Sequence, residues 1–198
     1  MTPNQKAIQA ILDLASAAEV VAGKAWYVTA RDTASELAAR YHVTEQMATG
    51  VIAALSPRNK WDRNVIDAEN LIAAFVAGGI EAAKEVKVCT FNKNKEKALT
   101  ILNGCLATDE AVEEVLSGPK LREFYGCIRG LDEVCIDGHA YSIWFGERIK
   151  LADVPSIGKK IRKEIKRDYR VVAEANGLTG FEVQAITWVA HRRIHGVG

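Results

Sequence analysis

Residues 116–143 read LSGPKLREFYGCIRGLDEVCIDGHAYSI. Ser117-Gly118-Pro119 interrupts whatever precedes it. Pro119 fits the first turn of a new helix, because the N–H that proline lacks has no intrahelical partner there anyway. The pattern predicts that helix as far as Ile128. Val134-Cys135-Ile136 is a short extended stretch, and Asp137 is placed to cap a further helix, His139–Glu147. Two side chains here can carry chemistry. Lys120 falls near a helix start, where the dipole opposes positive charge. Partial burial would add to that effect and favour the free amine, a nucleophile. Asp137 can stabilise a developing cation or take a proton from water or an amine. Each also has a plain structural reading, a solvated lysine and an ordinary N-cap.

Working outward, the apolar spacing is helical almost everywhere. Upstream, it predicts helices over Gln5–Val21, Trp26–Tyr41, a stretch capped by Thr44, Trp61 to Gly78-Gly79, Ile80–Val86, Lys95–Leu102 and Asp109–Leu116. Ser56-Pro57-Arg58-Asn59-Lys60 breaks the series. Downstream, a basic helix spans Gly158–Asn176 and meets Gly177, a C-cap residue. Thr179-Gly180-Phe181-Glu182 is a capping box that opens the last helix toward His191. About ten helices with short loops and no strand pair predict an all-α fold.

The chain has 198 residues, 48% hydrophobic and 26% charged. That composition excludes a disordered or fibrous protein. No apolar run is long enough to span a membrane, and residues 1–6 do not read as a secretory leader, so the cytoplasm is the expected compartment. Net charge is +1, from 26 basic and 25 acidic residues, but it is unevenly spread. Residues 1–118 hold 12 Lys/Arg against 15 Asp/Glu, and residues 119–198 hold 14 against 10. Lys159, Lys160, Arg162, Lys163, Lys166, Arg167 and Arg170 crowd one segment. Such a segment is either a solvated helix face or a surface for a polyanion. Cys89, Cys105, Cys127 and Cys135 include no C-x-x-C pair, so reduced thiols are expected, without a metal or a cofactor.

The order of these motifs resembles the helix-hairpin-helix DNA glycosylase superfamily, the group of endonuclease III and 8-oxoguanine glycosylase. Its Leu-Pro-Gly-x-Gly hairpin and lysine-bearing helix compare with Leu116-Ser117-Gly118-Pro119-Lys120. Its Val-Asp-x-His compares with Ile136-Asp137-Gly138-His139. Val51–Pro57 followed by Trp61 is similar to the family's Leu-Leu-Ser-x-Gln helix end, and Lys95-Glu96-Lys97-Ala98-Leu99-Thr100-Ile101-Leu102 to its Lys-Ala-x-x-Leu helix. The likeness covers roughly residues 45–145. The second hairpin glycine is missing, the hairpin is about two residues short, and there is no iron–sulfur cluster.

The resemblance implies a two-lobed helical fold within one compact unit of 198 residues. A barrel-like lobe would span about 36–136, with the second lobe from 1–35 plus 137–198. The active cleft would be bordered by Lys120, Asp137 and the Ser56–Trp61 loop. It implies an enzyme acting on a flipped DNA base, an N-glycosylase with AP-lyase activity. Asp137 would stabilise the oxocarbenium-like sugar, and Lys120 would attack C1′. Arg58, Asn59, Lys60, Gly118, Lys159, Lys160, Lys163, Lys166 and Arg167 are the expected DNA contacts. Trp61, Phe124, Tyr125 and His139 are the expected base-pocket residues. Core packing is the plainer reading for Trp61, Trp144 and Trp188. His191, Arg192, Arg193 and His195 suit a helix C-terminus without any ligand. Double-stranded DNA with a flipped base is the expected partner, and a monomer the expected state. Two alternatives stay open. One is a phage-type transferase that hypermodifies a base on the same scaffold, virus-encoded and active in the host cytoplasm. The other is a DNA-binding or inhibitory protein without chemistry.

Overall fold

A computed structural model describes residues 1–196. Among these residues there are helices and no strand, so the protein is all-α. In chain order the helices are α1 (Pro3–Asp13), α2 (Ala17–Tyr41), α3 (Glu45–Leu55), α4 (Trp61–Glu85), α5 (Asn92–Asn103), α6 (Asp109–Leu116), α7 (Pro119–Arg129), α8 (Gly138–Phe145), α9 (Lys159–Ala175) and α10 (Gly180–His195). No described helix is long and apolar enough to cross a membrane.

The predicted boundaries fail in one place. The chain breaks at 14–16, not at 22–25. Ser16 and Glu19 form a reciprocal cap: Glu19 N–H donates to Ser16 Oγ (3.3 Å) and Ser16 N–H to Glu19 Oε2 (2.8 Å). That pair opens α2 early. Gly23, in the stretch left between the two predicted helices, lies inside α2, where α10 passes too close for a side chain. A Cβ there would meet Ile186 Cα at 2.5 Å and Ile186 N at 2.7 Å. The predicted stop at Gly78-Gly79 is met: both residues leave helical geometry (Gly79 at φ 69°), and a short helical stretch follows within α4. Thr44, Thr108, Asp137 and Thr179 cap α3, α6, α8 and α10, each accepting a backbone N–H.

The chain divides into two compact units, Met1–Thr29 with Gly130–Gly198 (unit 1) and Ala30–Arg129 (unit 2). In unit 2, α3 is the central helix. Every residue from Met47 to Leu55 is buried, and α4, α5, α6 and α7 pack around it. Its polar hub is Asp67, whose side chain is fully buried. Asp67 accepts from Arg63 Nε (2.8 Å), Asn59 Nδ2 (3.1 Å) and the Cys89 N–H (2.7 Å).

In unit 1, α1, α8, α9 and α10 enclose a core that includes Ile8, Ile136, Ile165, Tyr169 and Ile186. Here the hub is Asp168, 2% exposed. It accepts from Gln5 Nε2 of α1 (2.8 Å) and Trp144 Nε1 of α8 (2.9 Å), and pairs with Arg167 (3.2 Å). Asn4 Nδ2 adds a bond to Trp144 O (2.9 Å). A buried carboxylate is tolerable only when its lone pairs are met in this way.

The α2–α10 approach yields a test. Gly23→Ala should destabilise the protein by about 1–3 kcal/mol or more, because the added methyl meets backbone. Alanine's helix propensity, favourable by about 1 kcal/mol, does not offset that. Urea unfolding measures it, and a variant as stable as wild type would contradict the close approach.

Candidate active site

Of the two chemical candidates, the structure builds the stronger surroundings around Asp137. The segment before it is anchored: Val134, Cys135 and Ile136 are buried, and Arg162 Nη1 donates to Ile136 O (3.0 Å). Asp137 is half-buried at the N-cap of α8, and its Oδ1 accepts the Ala140 N–H (2.8 Å). Gly138 lets the following segment close over this cap, since a Cβ would come 2.7 Å from Leu151 Cδ2.

His139, in the first turn of α8, meets α10. Its ring centroid lies 5.5 Å from His191 and 6.3 Å from Trp188. His191 in turn lies 4.3 Å from His195. Trp188 carries the Arg192 guanidinium 4.4 Å over its ring and sits 6.5 Å from Trp26. Trp188, His191, Arg192 and His195 share one face of α10 by their i, i+3, i+4, i+7 spacing. The result is a cluster of imidazoles and indoles that meets the first turn of α8, the helix Asp137 caps, all within unit 1.

His191 is the unusual member. It is 4% exposed, and its Nδ1 has no hydrogen-bond partner. Burial, reinforced by the charges of His195, His139 and Arg148, lowers its pKa from 6.5 to about 4, while Asp137 opposes the shift. The imidazole is therefore neutral in the folded protein at pH 7. The sequence places His191 at a basic helix end. What it does not show is that α8 buries the ring beside His139. No group of three or more His, Cys, Asp or Glu among the described residues is arranged to hold a metal ion.

The other expected site residues divide clearly. Lys120 is exposed as the second residue of α7 in unit 2, so the burial expected to favour its free amine is missing. Tyr125 does not wall a pocket. It is 0% exposed, and its hydroxyl donates to Asp109 (2.5 Å), which also pairs with Arg129 (2.9 Å). Phe124 and Trp61 are half-buried. Asn59, an expected DNA contact, has its side chain turned inward to Asp67, whereas Arg58 and Lys60 are exposed. Gly118 spends its N–H on Leu116 O (2.6 Å), which turns it away from a phosphate. The left-handed position of that hairpin belongs to Ser117 (φ 52°).

On α9, Lys166 is committed to Glu133 (2.7 Å) and Arg170 pairs with Asp132 (3.3 Å). Lys159, Lys160, Lys163 and Arg167 are exposed. No acidic residue lies in the first turn of α9, and Gly158 provides no side-chain cap.

The neutral His191 fixes a pH dependence. Its folded-state pKa is below the unfolded value, so the unfolded chain binds the proton more readily. Stability is complete above pH 6.5 and falls as the pH drops toward about 4. The loss at the acid end is at most about 3 kcal/mol. Urea unfolding across pH 4–7 should show wild type losing more stability than His191→Phe, and parallel curves would contradict the burial argument.

Comparison with known proteins adds one relationship. No curated protein and no solved structure matches the chain. One family matches residues 1–195, and the chain belongs to it: the family of unknown function DUF7178.

Proposed function

We propose that the protein is a DNA-acting enzyme that works on a base flipped out of the helix, cleaving its N-glycosidic bond. The observation that carries this reading is the Asp137 site. A half-buried carboxylate is fixed at a helix N-cap by its Oδ1, and in the first turn of that helix His139 packs against His191. A carboxylate so held can stabilise positive charge on a sugar ring and accept a proton from the attacking group. In the proposed reaction the C1′–N bond breaks and the base leaves with the electron pair, taking up a proton from solvent. Water adds to C1′, giving its proton to Asp137. Half-buried Trp26, Trp188 and His139 offer flat surfaces against which an extruded base can rest. The exposed cations of α9 supply positive charge for the phosphate backbone. The motif order across residues 45–145 supports the same reading.

Lyase activity rests on the resemblance, which assigns the attacking amine to Lys120. An amine at C1′ would displace the base and form a Schiff base, which borohydride reduces to a stable adduct.

The direct test is base release, measured by mass spectrometry on duplexes carrying uracil, oxidised purines, alkylated bases or hypermodified pyrimidines. At least one duplex should lose its base. Borohydride should trap protein on abasic DNA, and Lys120→Gln should abolish that adduct while leaving binding within about twofold. Intact but altered nucleosides would favour the transferase reading. Binding with no chemistry on any substrate would favour the non-catalytic one.

The α9 cations give a separate expectation. Reversing Lys159, Lys160 and Lys163 to Glu should weaken duplex binding and flatten its salt dependence, by about 0.9 in log–log slope per lost phosphate contact. An unchanged slope would return α9 to a solvated face.

A further inference from the structure

Unit 2 carries a second exposed feature that the Asp137 chemistry does not use. Two loops, 56–60 and 86–91, are held against each other. Asp67 accepts from Asn59 Nδ2 in the first loop and from the Cys89 N–H in the second, on a single oxygen, Oδ2 (3.1 and 2.7 Å). Thr90 Oγ1 donates to Pro57 O (2.9 Å), and Asn94 Nδ2 donates back to Thr90 Oγ1 (3.1 Å). The pinned pair presents an aromatic ring to solvent. Phe91 is 44% exposed, although it lies between two well-anchored segments. The Arg58 guanidinium lies 5.2 Å from its ring centroid and the Lys93 ammonium 5.8 Å.

Arg58 itself is in the left-handed region (φ 56°), where a non-glycine residue costs of order 1 kcal/mol. The turn that imposes this is closed by the Asn59 N–H to Ser56 O (3.2 Å) and by the Asn59 side chain on the buried carboxylate. The rigidity therefore holds a strained arginine against an exposed phenylalanine. Lys60 and Lys87, both exposed, lie in the same two loops. Other cations nearby are committed: Arg63 to Asp67, Lys84 to Glu81, and Lys97 to Leu116 O.

We propose that Phe91 and Arg58 form a stacking platform for an unpaired base of a single-stranded nucleic-acid segment, with Lys60, Lys87 and Lys93 facing its phosphates. An aromatic face accepts any base, a guanidinium plane extends the stack, and the surrounding ammonium groups neutralise the backbone. The charge selects a polyanion, and the exposed ring selects one that carries flat apolar surfaces. An acidic peptide would use the cations and leave the ring unused. The platform lies in a different unit from Asp137 and stands whether or not that site releases a base.

The experiment uses the full chain and fluorescein-labelled dT12, U12 and a 12-base-pair duplex, read by anisotropy. Wild type should bind a single strand more tightly than the duplex, and comparing dT12 with U12 tells whether DNA or RNA is preferred. Phe91→Ala should weaken single-strand binding by about 5- to 100-fold. Phe91→Trp should restore it, with indole emission quenched on binding. Lys60→Glu with Lys93→Glu should lower the salt slope. Phe91→Ala binding as well as wild type, or polyglutamate competing as well as dT12, would overturn the proposal. Because Phe91 is exposed, its replacement should not threaten folding, and matching unfolding curves will verify that. Platform binding without base release would count against the glycosylase reading alone, and base release without Phe91-dependent binding against the platform alone.

Discussion

The buried carboxylate of Asp168 is the constraint on which unit 1 depends. At 2% exposure it must be answered by donors, and the donors come from separate elements: Gln5 on α1, Trp144 on α8 and its own neighbour Arg167 on α9. Trp144 is near the end of α8, and Asp137 is the cap at the beginning of the same helix. The bond to Asp168 therefore fixes one end of the helix whose other end presents the candidate carboxylate. Arg162, also on α9, holds the approach to that end through Ile136 O. Removing one partner from such a network leaves an unmet buried charge, which is why its effect would exceed that of a surface ion pair.

Unit 2 follows the same logic with Asp67, but toward a different end. There the buried carboxylate gathers loops. Asn59, Arg63 and the Cys89 N–H converge on it, and the outward product is an exposed Phe91 flanked by Arg58 and Lys93. Each unit thus spends a fully satisfied buried charge to set the position of groups at its surface. At Asp137 the residue that caps α8 is also the residue proposed for chemistry. The capping bond orients the carboxylate, and His191, kept neutral chiefly by its burial, packs against His139 in the first turn of the same helix.

Local signals in the sequence carry the helices well. Thr44, Thr179 and Asp137 can be read as caps because a cap needs only its own next three residues. The Ser16–Glu19 cap was equally local but was not recognised, and the break was placed at 22–25, around Gly23, whose small size answers to the passage of α10. Side-chain roles depend on distant partners and are harder to read. Tyr125 and Asn59 look available for a base until Asp109 and Asp67 are seen to claim them. The residues His191, Arg192, Arg193 and His195 read in the sequence only as a basic helix end, and Trp188 as core. The meeting of His191 with His139 required the packing of α8 against α10. Phe91 carries no sequence signal beyond being an isolated aromatic before a basic helix.

The central claim is that the Asp137 carboxylate does chemistry beyond capping α8. The most direct measurement is single-turnover base release by wild type and Asp137→Asn, alongside urea unfolding of both. Asparagine caps a helix about as well as aspartate, so stability should change by less than about 0.5 kcal/mol. An amide neither takes the proton nor stabilises the cation, so release should slow by about 100-fold or more. An Asp137→Asn protein that is as active as wild type would contradict the account and leave Asp137 as a cap alone.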